Sequence, residues 1–214
     1  MICCRGRVRV ATLWLGMLPL LACAPDPERT RAERTVEAEY DRETGRLQLI
    51  TLDSNDNGTP DTWSYMDGNT VLRIELDQDE NGVIERWEYY LPDQTLKKVG
   101  FSRGGDGVVD AWAFEGGDGD VSRIEISTLR DGQIDRWEHY ESGVLARAEE
   151  DMDLDDQPDK WETYEGTLVA SAAFDEDGDG DPDRRLVYRQ GALVAIETDP
   201  GEDGNYRSRV DIAQ

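Results

Sequence analysis

The sequence predicts an all-β fold: an elongated repeat protein in which antiparallel β-hairpins follow one another as a meander, with an acidic loop between successive hairpins. The first observation is a regular spacing of 24, 25, 25 and 24 residues between five of the six tryptophans, namely Trp63, Trp87, Trp112, Trp137 and Trp161. The second is that apolar and polar residues alternate on both sides of each tryptophan, which is the period of a strand. A constant period of this length is typical of repeat architectures.

We call each repeat unit a frame, and its acidic stretch a loop. A frame reads D-x-D-x-D-G-x-φ-D-x-W-E-x-Y, where φ is apolar or Pro, followed by a short turn such as "ESG" or "RQG" and a return segment with alternating apolar residues. A helix–loop–helix unit needs two helices of about ten residues around a loop of about twelve, which exceeds one frame. Two strands of about six residues, a turn and a loop fit. Loops 1 to 7 begin, in order, at Asp53, Asp77, Ser102, Ser127, Asp151, Asp175 and Asp199, with a half-frame before the first.

Loop 2 contains a complete calcium-loop pattern. The stretch "DQDENGVIERWE", residues 77–88, matches D-x-[DN]-x-[DN]-G-x5-E without a mismatch. Calcium takes about six to eight oxygen ligands, which carboxylates and amides at loop positions 1, 3, 5, 9 and 12 supply, while Gly at position 6 permits a sharp turn. The candidate ligands of loop 2 are Asp77, Asp79, Asn81, Glu85 and Glu88.

Three further loops keep most of these ligands. Asp156 stands in loop 5 where Gly is expected, and loops 1 and 6 lack the acidic residue at position 12. Loops 3, 4 and 7 each lack two ligands, and we expect them to bind weakly or to be empty. The candidate ligands are Asp53, Asn55, Asn57 and Asp61 in loop 1, Asp151, Asp153, Asp155, Asp159 and Glu162 in loop 5, and Asp175, Asp177, Asp179 and Asp183 in loop 6.

The same residues have a simpler interpretation as turns. Asp, Asn and Gly are ordinary turn formers, because their side chains bond nearby backbone N–H groups or because they tolerate positive φ. A turn needs one or two such residues, however, and three carboxylates at alternate positions repel one another unless a cation lies between them. The repeated tryptophans also have two interpretations: core residues that stack from frame to frame, or an exposed aromatic ladder for a glycan or protein partner.

Both halves of a frame resemble known repeat families. The hairpin half, "WEYY…L" or "WETYEGTL", is similar to MORN repeats, and this resemblance implies an extended antiparallel meander. The acidic half is EF-hand-like in sequence and resembles the calcium loops of thrombospondin type 3 and dockerin modules, which implies calcium as the cofactor. The resemblances cover about residues 40–210.

The N-terminal segment predicts export. Residues 1–22 contain a basic start with three arginines, then a short apolar run that closes on "LLAC". This ending resembles the bacterial lipobox, which implies cleavage before Cys23 and a lipid on its thiol; an uncleaved membrane anchor is the alternative. We expect a tether over residues 23–38, the repeat domain over residues 39–214, and a lipid-anchored protein of the bacterial cell envelope, either periplasmic or on the cell surface. Cys3 and Cys4 lie in the signal, so no disulfide is expected within the mature chain.

Composition excludes several classes of function. A formal net charge of −25 is the wrong sign for binding nucleic-acid phosphates. His139 is the only histidine, and the carboxylates recur with the repeat instead of forming one distinct pair, so we do not expect an enzyme. The sequence therefore predicts a calcium-binding repeat protein with a structural or surface-interaction role. The alternative is a metal-independent β-repeat scaffold that presents an aromatic and acidic surface to a protein or glycan partner.

Overall fold

A computed structural model describes residues 28, 31, 34–117, 119–201 and 203–213. The predicted signal peptide and Cys23 lie outside these residues. Fifteen strands form one antiparallel sheet in which every strand pairs with its neighbours in sequence, from β1 to β15. This confirms the predicted all-β hairpin meander. No helix in the part of the chain that the structure describes is long and apolar enough to cross a membrane.

One pair of strands precedes loop 1, each of frames 1 to 6 contains one further pair, and the described part of frame 7 contains a single strand. The first strand begins at Val36, inside the segment predicted as a tether, and belongs to the half-frame that precedes loop 1. The strands are β1 (Val36–Tyr40), β2 (Leu47–Leu52), β3 (Thr62–Asp67), β4 (Thr70–Leu76), β5 (Arg86–Tyr90), β6 (Leu96–Phe101), β7 (Ala111–Glu115), β8 (Val121–Ile126), β9 (Arg136–Glu141), β10 (Val144–Glu150), β11 (Lys160–Glu165), β12 (Leu168–Phe174), β13 (Arg184–Arg189), β14 (Ala192–Pro200) and β15 (Tyr206–Asp211).

Short turns connect the strands at one edge of the sheet, which we call the turn edge. In the hairpin of β9 and β10, Ser142 and Gly143 both have positive φ, 50° and 74°. Two successive residues of this kind form the turn whose twist matches that of a hairpin. Gln190 and Gly191 repeat this pattern with φ of 52° and 80°, so the hairpin turns predicted at "ESG" and "RQG" are both present. All seven acidic loops lie at the opposite edge, the loop edge.

The register places the tryptophans in one row across the sheet. Trp63 lies opposite Glu75, and Glu75 lies opposite Trp87, so tryptophan and glutamate alternate from strand to strand. Gly100 stands between Trp87 and Trp112 in place of a glutamate, and the alternation then continues through Trp112, Glu125, Trp137, Glu149 and Trp161. We call this side the tryptophan face. The other side carries a mostly aliphatic row that includes Ile50, Ile74, Val99, Ile124 and Ala148.

The sheet has little conventional core. Substantial contacts between described strands occur only between neighbours, so the sheet neither closes nor packs against a second layer. The repeated tryptophans are half-buried. Long cations cover several of the aromatic rings: Lys98 Nζ lies 3.6 Å from the ring centre of Trp112, and Arg73 lies 3.8 Å from that of Tyr65. Cross-strand pairs of this kind contribute individually small energies, but here they recur in frame after frame.

Candidate metal sites

The loops stack on one another through backbone hydrogen bonds. Within loop 2, the N–H of Glu85 at position 9 donates to the carbonyl of Leu76, just before position 1, at 3.0 Å. Between loops, the N–H of Asp77 at position 1 donates to the carbonyl of Asp61, position 9 of loop 1, at 2.9 Å. Loops 2 to 6 all repeat both bonds. Each loop is thereby closed at its base and fixed to the preceding one.

Side chains at positions 1 and 9 hold the turn itself. The carboxylate of Asp77 accepts the N–H groups of Asn81 and Gly82, at 3.1 and 2.9 Å, and that of Glu85 accepts the N–H of Gln78 at 3.0 Å. In loop 3, the hydroxyl of Ser102 takes the place of the position-1 carboxylate and accepts two N–H groups at 3.2 Å. A neutral acceptor is therefore sufficient for the turn.

Position 3 differs, because the turn does not need it. Asp79 and Asp153 each accept one backbone N–H at 3.2 Å, from the residue at position 5. Loops 3 and 7 have Gly and loop 4 has Leu at this position, yet the strands on both sides pair in the same way. An exposed carboxylate at position 3 in loops 2, 5 and 6 therefore has no explanation in the turn alone.

In these three loops the carboxylates at positions 1, 3 and 9 come together. Within each group, one oxygen from each residue lies within 4.8 Å of the others. We call these groups the carboxylate clusters. Among the described residues, none of their nine members is in an ion pair with a lysine or arginine. The clusters are Asp77, Asp79 and Glu85 in loop 2, Asp151, Asp153 and Asp159 in loop 5, and Asp175, Asp177 and Asp183 in loop 6.

In each cluster, the neighbouring carboxylates oppose the ionisation of one member. Burial, together with the neighbouring carboxylates of Asp79 and Asp77, raises the pKa of Glu85. The pKa of Asp153 is raised by desolvation and by the charges of Asp159 and Asp155. One oxygen of Glu85, Oε1, is buried without a hydrogen-bond partner. A cation beside these oxygens would remove the repulsion and supply the missing partner.

Side chains at position 5 lie outside the clusters. The oxygens of Asn81, Asp155 and Asp179 accept the N–H of position 7 at 2.8, 2.9 and 2.9 Å. These oxygens therefore stabilise the turn, and only their second lone pairs are available to an ion.

The structure separates the position-12 residues from the clusters. Glu88 lies on β5, where it pairs with Arg86 at 2.7 Å and accepts the hydroxyl of Tyr90 at 2.6 Å. Glu162 lies on β11 between Lys160 and Arg136, at 2.9 and 3.0 Å. Position 12 already belongs to a strand, and its side chain projects from the face opposite the tryptophan. A helix would have turned it back toward the loop, as the EF-hand pattern assumes.

Loop 1 does not form a carboxylate cluster. Asp53 and Asp61 hold the turn, and the side-chain amides of Asn55 and Asn57 donate to Glu80 at 2.5 and 2.6 Å. Glu80 belongs to loop 2, at a position with no ligand role in the sequence pattern. Only the stacking of loops brings it near loop 1, so the repeat period was the one sequence signal that could have indicated it.

Comparisons with known proteins do not assign the chain to a family. No family model matches the sequence, and no curated protein matches it. Solved structures that resemble it include a TarM mutant from S. aureus in complex with Fondaparinux, alpha-GlcNAc-glycerol and UDP (TM-score 0.30, 10% identity, 57% of this chain and 21% of that one). Another is accessory secretory protein 1, 2 and 3 of Streptococcus pneumoniae (TM-score 0.19, 14% identity, 61% of this chain and 19% of that one). The chain thus spans about a fifth of each, and neither similarity bears on its function.

Proposed function

We propose that this protein is a calcium-binding repeat protein and that its calcium ions bind at the carboxylate clusters of loops 2, 5 and 6. The observation that carries the proposal is the carboxylate at position 3. The turn does not require it, it lies within reach of two other carboxylates, and no lysine or arginine of the described chain neutralises the group. A divalent cation accounts for all three facts.

The chemistry of the ligands favours calcium among divalent cations. Every candidate ligand is an oxygen, and neither His nor Cys lies in the clusters, which disfavours zinc and other softer ions. The ligands come from an exposed, irregular loop, and calcium tolerates irregular geometry with about six to eight oxygens, whereas magnesium demands a near-octahedral shell. Backbone carbonyls and water would complete the coordination sphere.

The role we propose for calcium is structural. Because backbone hydrogen bonds join successive loops, an ordered loop stabilises its neighbours, as neighbouring units do in repeat proteins generally. Neutralising the charge of the cluster in loop 5 would therefore also stabilise loops 4 and 6. An acidic chain with a formal charge of −25 gains more from this than a neutral one, because self-repulsion opposes its compact state.

We further propose that the protein is anchored to a bacterial envelope membrane through a lipid on Cys23. Support comes from the sequence "LLAC" after a basic and apolar start. Calcium sites in extracellular modules often have a Kd of about 10⁻⁴ to 10⁻³ M, which suits a structural role outside the cytoplasm.

A calcium titration of the full-length protein tests the proposal. Tryptophan fluorescence is the readout, because each repeated tryptophan lies two residues after position 9, and circular dichroism monitors the sheet. We expect a saturable change that EGTA reverses. The combined variant D79N/D153N/D177N should abolish it, whereas the control E43Q/E141Q/E165Q, which removes three charges at the turn edge, should not. A flat trace up to several millimolar calcium on a folded wild type would instead favour the metal-independent scaffold.

A further inference from the structure

Arginines lie in or beside several of the loops that lack a carboxylate cluster. The four loops without a carboxylate at position 3 are loops 1, 3, 4 and 7. An arginine forms an ion pair with a residue of loop 1 and of loop 3, and another lies beside position 3 of loop 7. In loop 1 this is Arg34, whose Nη2 lies 2.8 Å from Asp56 Oδ2. Loop 6 has a comparable pair, since Arg184 Nε lies 2.6 Å from Glu176 Oε1 at position 2, but no described lysine or arginine forms an ion pair with a cluster carboxylate.

Arg103 in loop 3 has the most complete set of contacts. Its Nε donates to Asp110 Oδ1 at 2.7 Å, and its Nη2 donates to the carbonyl of Ser127 in loop 4 at 2.9 Å. Asp110 is the position-9 carboxylate, and its side chain is only 2% exposed. The guanidinium therefore neutralises the buried acid of loop 3 and also ties that loop to the next one.

Arg207 in loop 7 occupies the space of the missing position-3 side chain. A Cβ atom added to Gly201 would lie 3.2 Å from Arg207 Nη2, 3.3 Å from Arg207 Nε and 2.8 Å from Asp203 Oδ1. The guanidinium and the carboxylate of Asp203 thus fill the volume into which an aspartate at position 3 would project. Substitution of Gly201 by a larger residue would require both to move.

The positive charge of the loop 4 arginine, Arg130, acts on an acid of loop 3, and Arg130 forms no ion pair with the described position-9 acid of its own loop. The pKa of Asp106 in loop 3 is lowered by the N–H of Val108, by the hydroxyl of Ser102 and by the positive charge of Arg130. Arg130 is the position-4 residue of loop 4. The position-9 acid of loop 4, Asp135, is held by the hydroxyl and N–H of Thr128.

We propose that Arg103 is a built-in counter-cation that takes the place of a metal ion in loop 3, where it pairs with the position-9 carboxylate. The chain then takes three calcium ions, in loops 2, 5 and 6, while the central loops 3 and 4 keep their structure without any. The metal part of this inference rests on the proposed function; the structural part, that Arg103 stabilises loop 3, does not.

Removal of the arginine tests the structural part. R103Q leaves the 2%-exposed carboxylate of Asp110 without its cation. We expect the Tm of the full-length protein to fall by roughly 4 °C or more, by the same amount in EGTA and in saturating calcium. R42Q, which removes an exposed arginine at the turn edge, is the control and should leave Tm unchanged. Should R103Q fail to fold, R103K keeps the charge and should show an intermediate Tm. Equal Tm values for R103Q, R42Q and wild type would overturn the proposal.

A gain-of-site variant tests the exchange of arginine for metal. S102D/R103Q/G104D restores carboxylates at positions 1 and 3 beside Asp110, and a Cβ at Gly104 meets nothing closer than 3.7 Å. Calorimetric titration should give three calcium ions for the wild type and four for the variant. A variant that still binds three would refute the exchange. A wild type that binds none would refute the proposed function, and the R103Q comparison would still decide the role of the arginine.

Discussion

Replacement of Glu85 by glutamine should raise the free energy of unfolding in the absence of calcium and lower it when calcium is added. Glu85 holds two functions at position 9 of loop 2. One oxygen accepts the N–H of Gln78, and the carbonyl oxygen of glutamine can keep that bond. The negative charge is the other function: it repels Asp77 and Asp79 when no ion is present and would attract an ion when one is available. E85Q therefore preserves the turn and removes the charge.

The magnitude follows from the separation of the carboxylates. Two unit charges at the 4.8 Å limit of the cluster repel by about 0.9 kcal/mol in water. Two such neighbours, discounted for salt and solvent, give about 1 kcal/mol. The raised pKa of Glu85 has the same sign, since it means that ionisation destabilises the folded state. In EGTA, E85Q should therefore be about 1 kcal/mol more stable than the wild type. Calcium at a hundredfold excess over Kd stabilises the wild type by about 2.7 kcal/mol, so the variant should then be less stable by about 2 kcal/mol.

Thermal unfolding of the full-length protein in EGTA and in saturating calcium measures both differences. A change of 1 kcal/mol corresponds to about 2–4 °C in a domain of this size. D135N is the matched control, because Asp135 occupies position 9 of loop 4, where there is no cluster; it should destabilise equally in both buffers. If E85Q lowered the stability by the same amount with and without calcium, position 9 would act only in the turn and the reasoning would be refuted.

Three further predictions concern the clusters and the sheet. Calcium affinity should fall as the pH is lowered into the range where carboxylates protonate, because binding needs their ionised form. The raised pKa of Glu85 makes this loss begin at a higher pH than for an ordinary glutamate. Titration in buffers of different ionisation enthalpy would detect the released protons, and their absence would contradict carboxylate ligation. R136M removes the arginine that Glu138, Glu150 and Glu162 share on the face opposite the tryptophans and leaves Lys160 to pair with the last two, so it should cost about 3 kcal/mol in urea unfolding, independently of calcium. G100A places a Cβ 2.8 Å from Cζ3 of Trp112 and should cost about 1–3 kcal/mol, whereas G117A, which meets nothing within 4 Å, should be neutral; equal effects would show that the tryptophan moves aside freely.

The loops show how a repeat can keep its backbone while its chemistry changes. Ser102 accepts the same N–H groups as Asp77, so loop 3 lost a charge without losing its turn. At position 1 the turn needs only a hydrogen-bond acceptor, which Ser or Asp supplies, whereas an ion needs a negative charge. At position 3 the turn needs no side chain, so only an ion would require a carboxylate there. This is the physical reason that loops of one sequence pattern divide into three with carboxylate clusters and four in which the described residues form none.

Sequence periodicity determined the strand order of the meander, whereas only the structure decided that the sheet stays open. A spacing of 24 or 25 residues between tryptophans is too short for a helical calcium unit, and the period-2 alternation around them requires strands, so the hairpin meander and the position of every acidic loop followed without coordinates. The carboxylates at positions 1, 3 and 9 of loops 2, 5 and 6 were also predicted, since they share one short loop and local geometry suffices to bring them together.

Only the tertiary structure decided which predicted ligands do not join the clusters. Glu88 and Glu162 match the pattern by spacing, but position 12 lies on a strand whose alternation turns the side chain toward cations on the opposite face. Contacts between frames were equally invisible: Glu80 reaches the amides of loop 1, and Arg103 reaches the carbonyl of loop 4. The sequence identifies the chemical groups that a side chain offers. The stacking of successive frames, about 25 residues apart in the sequence, determines which groups that side chain contacts.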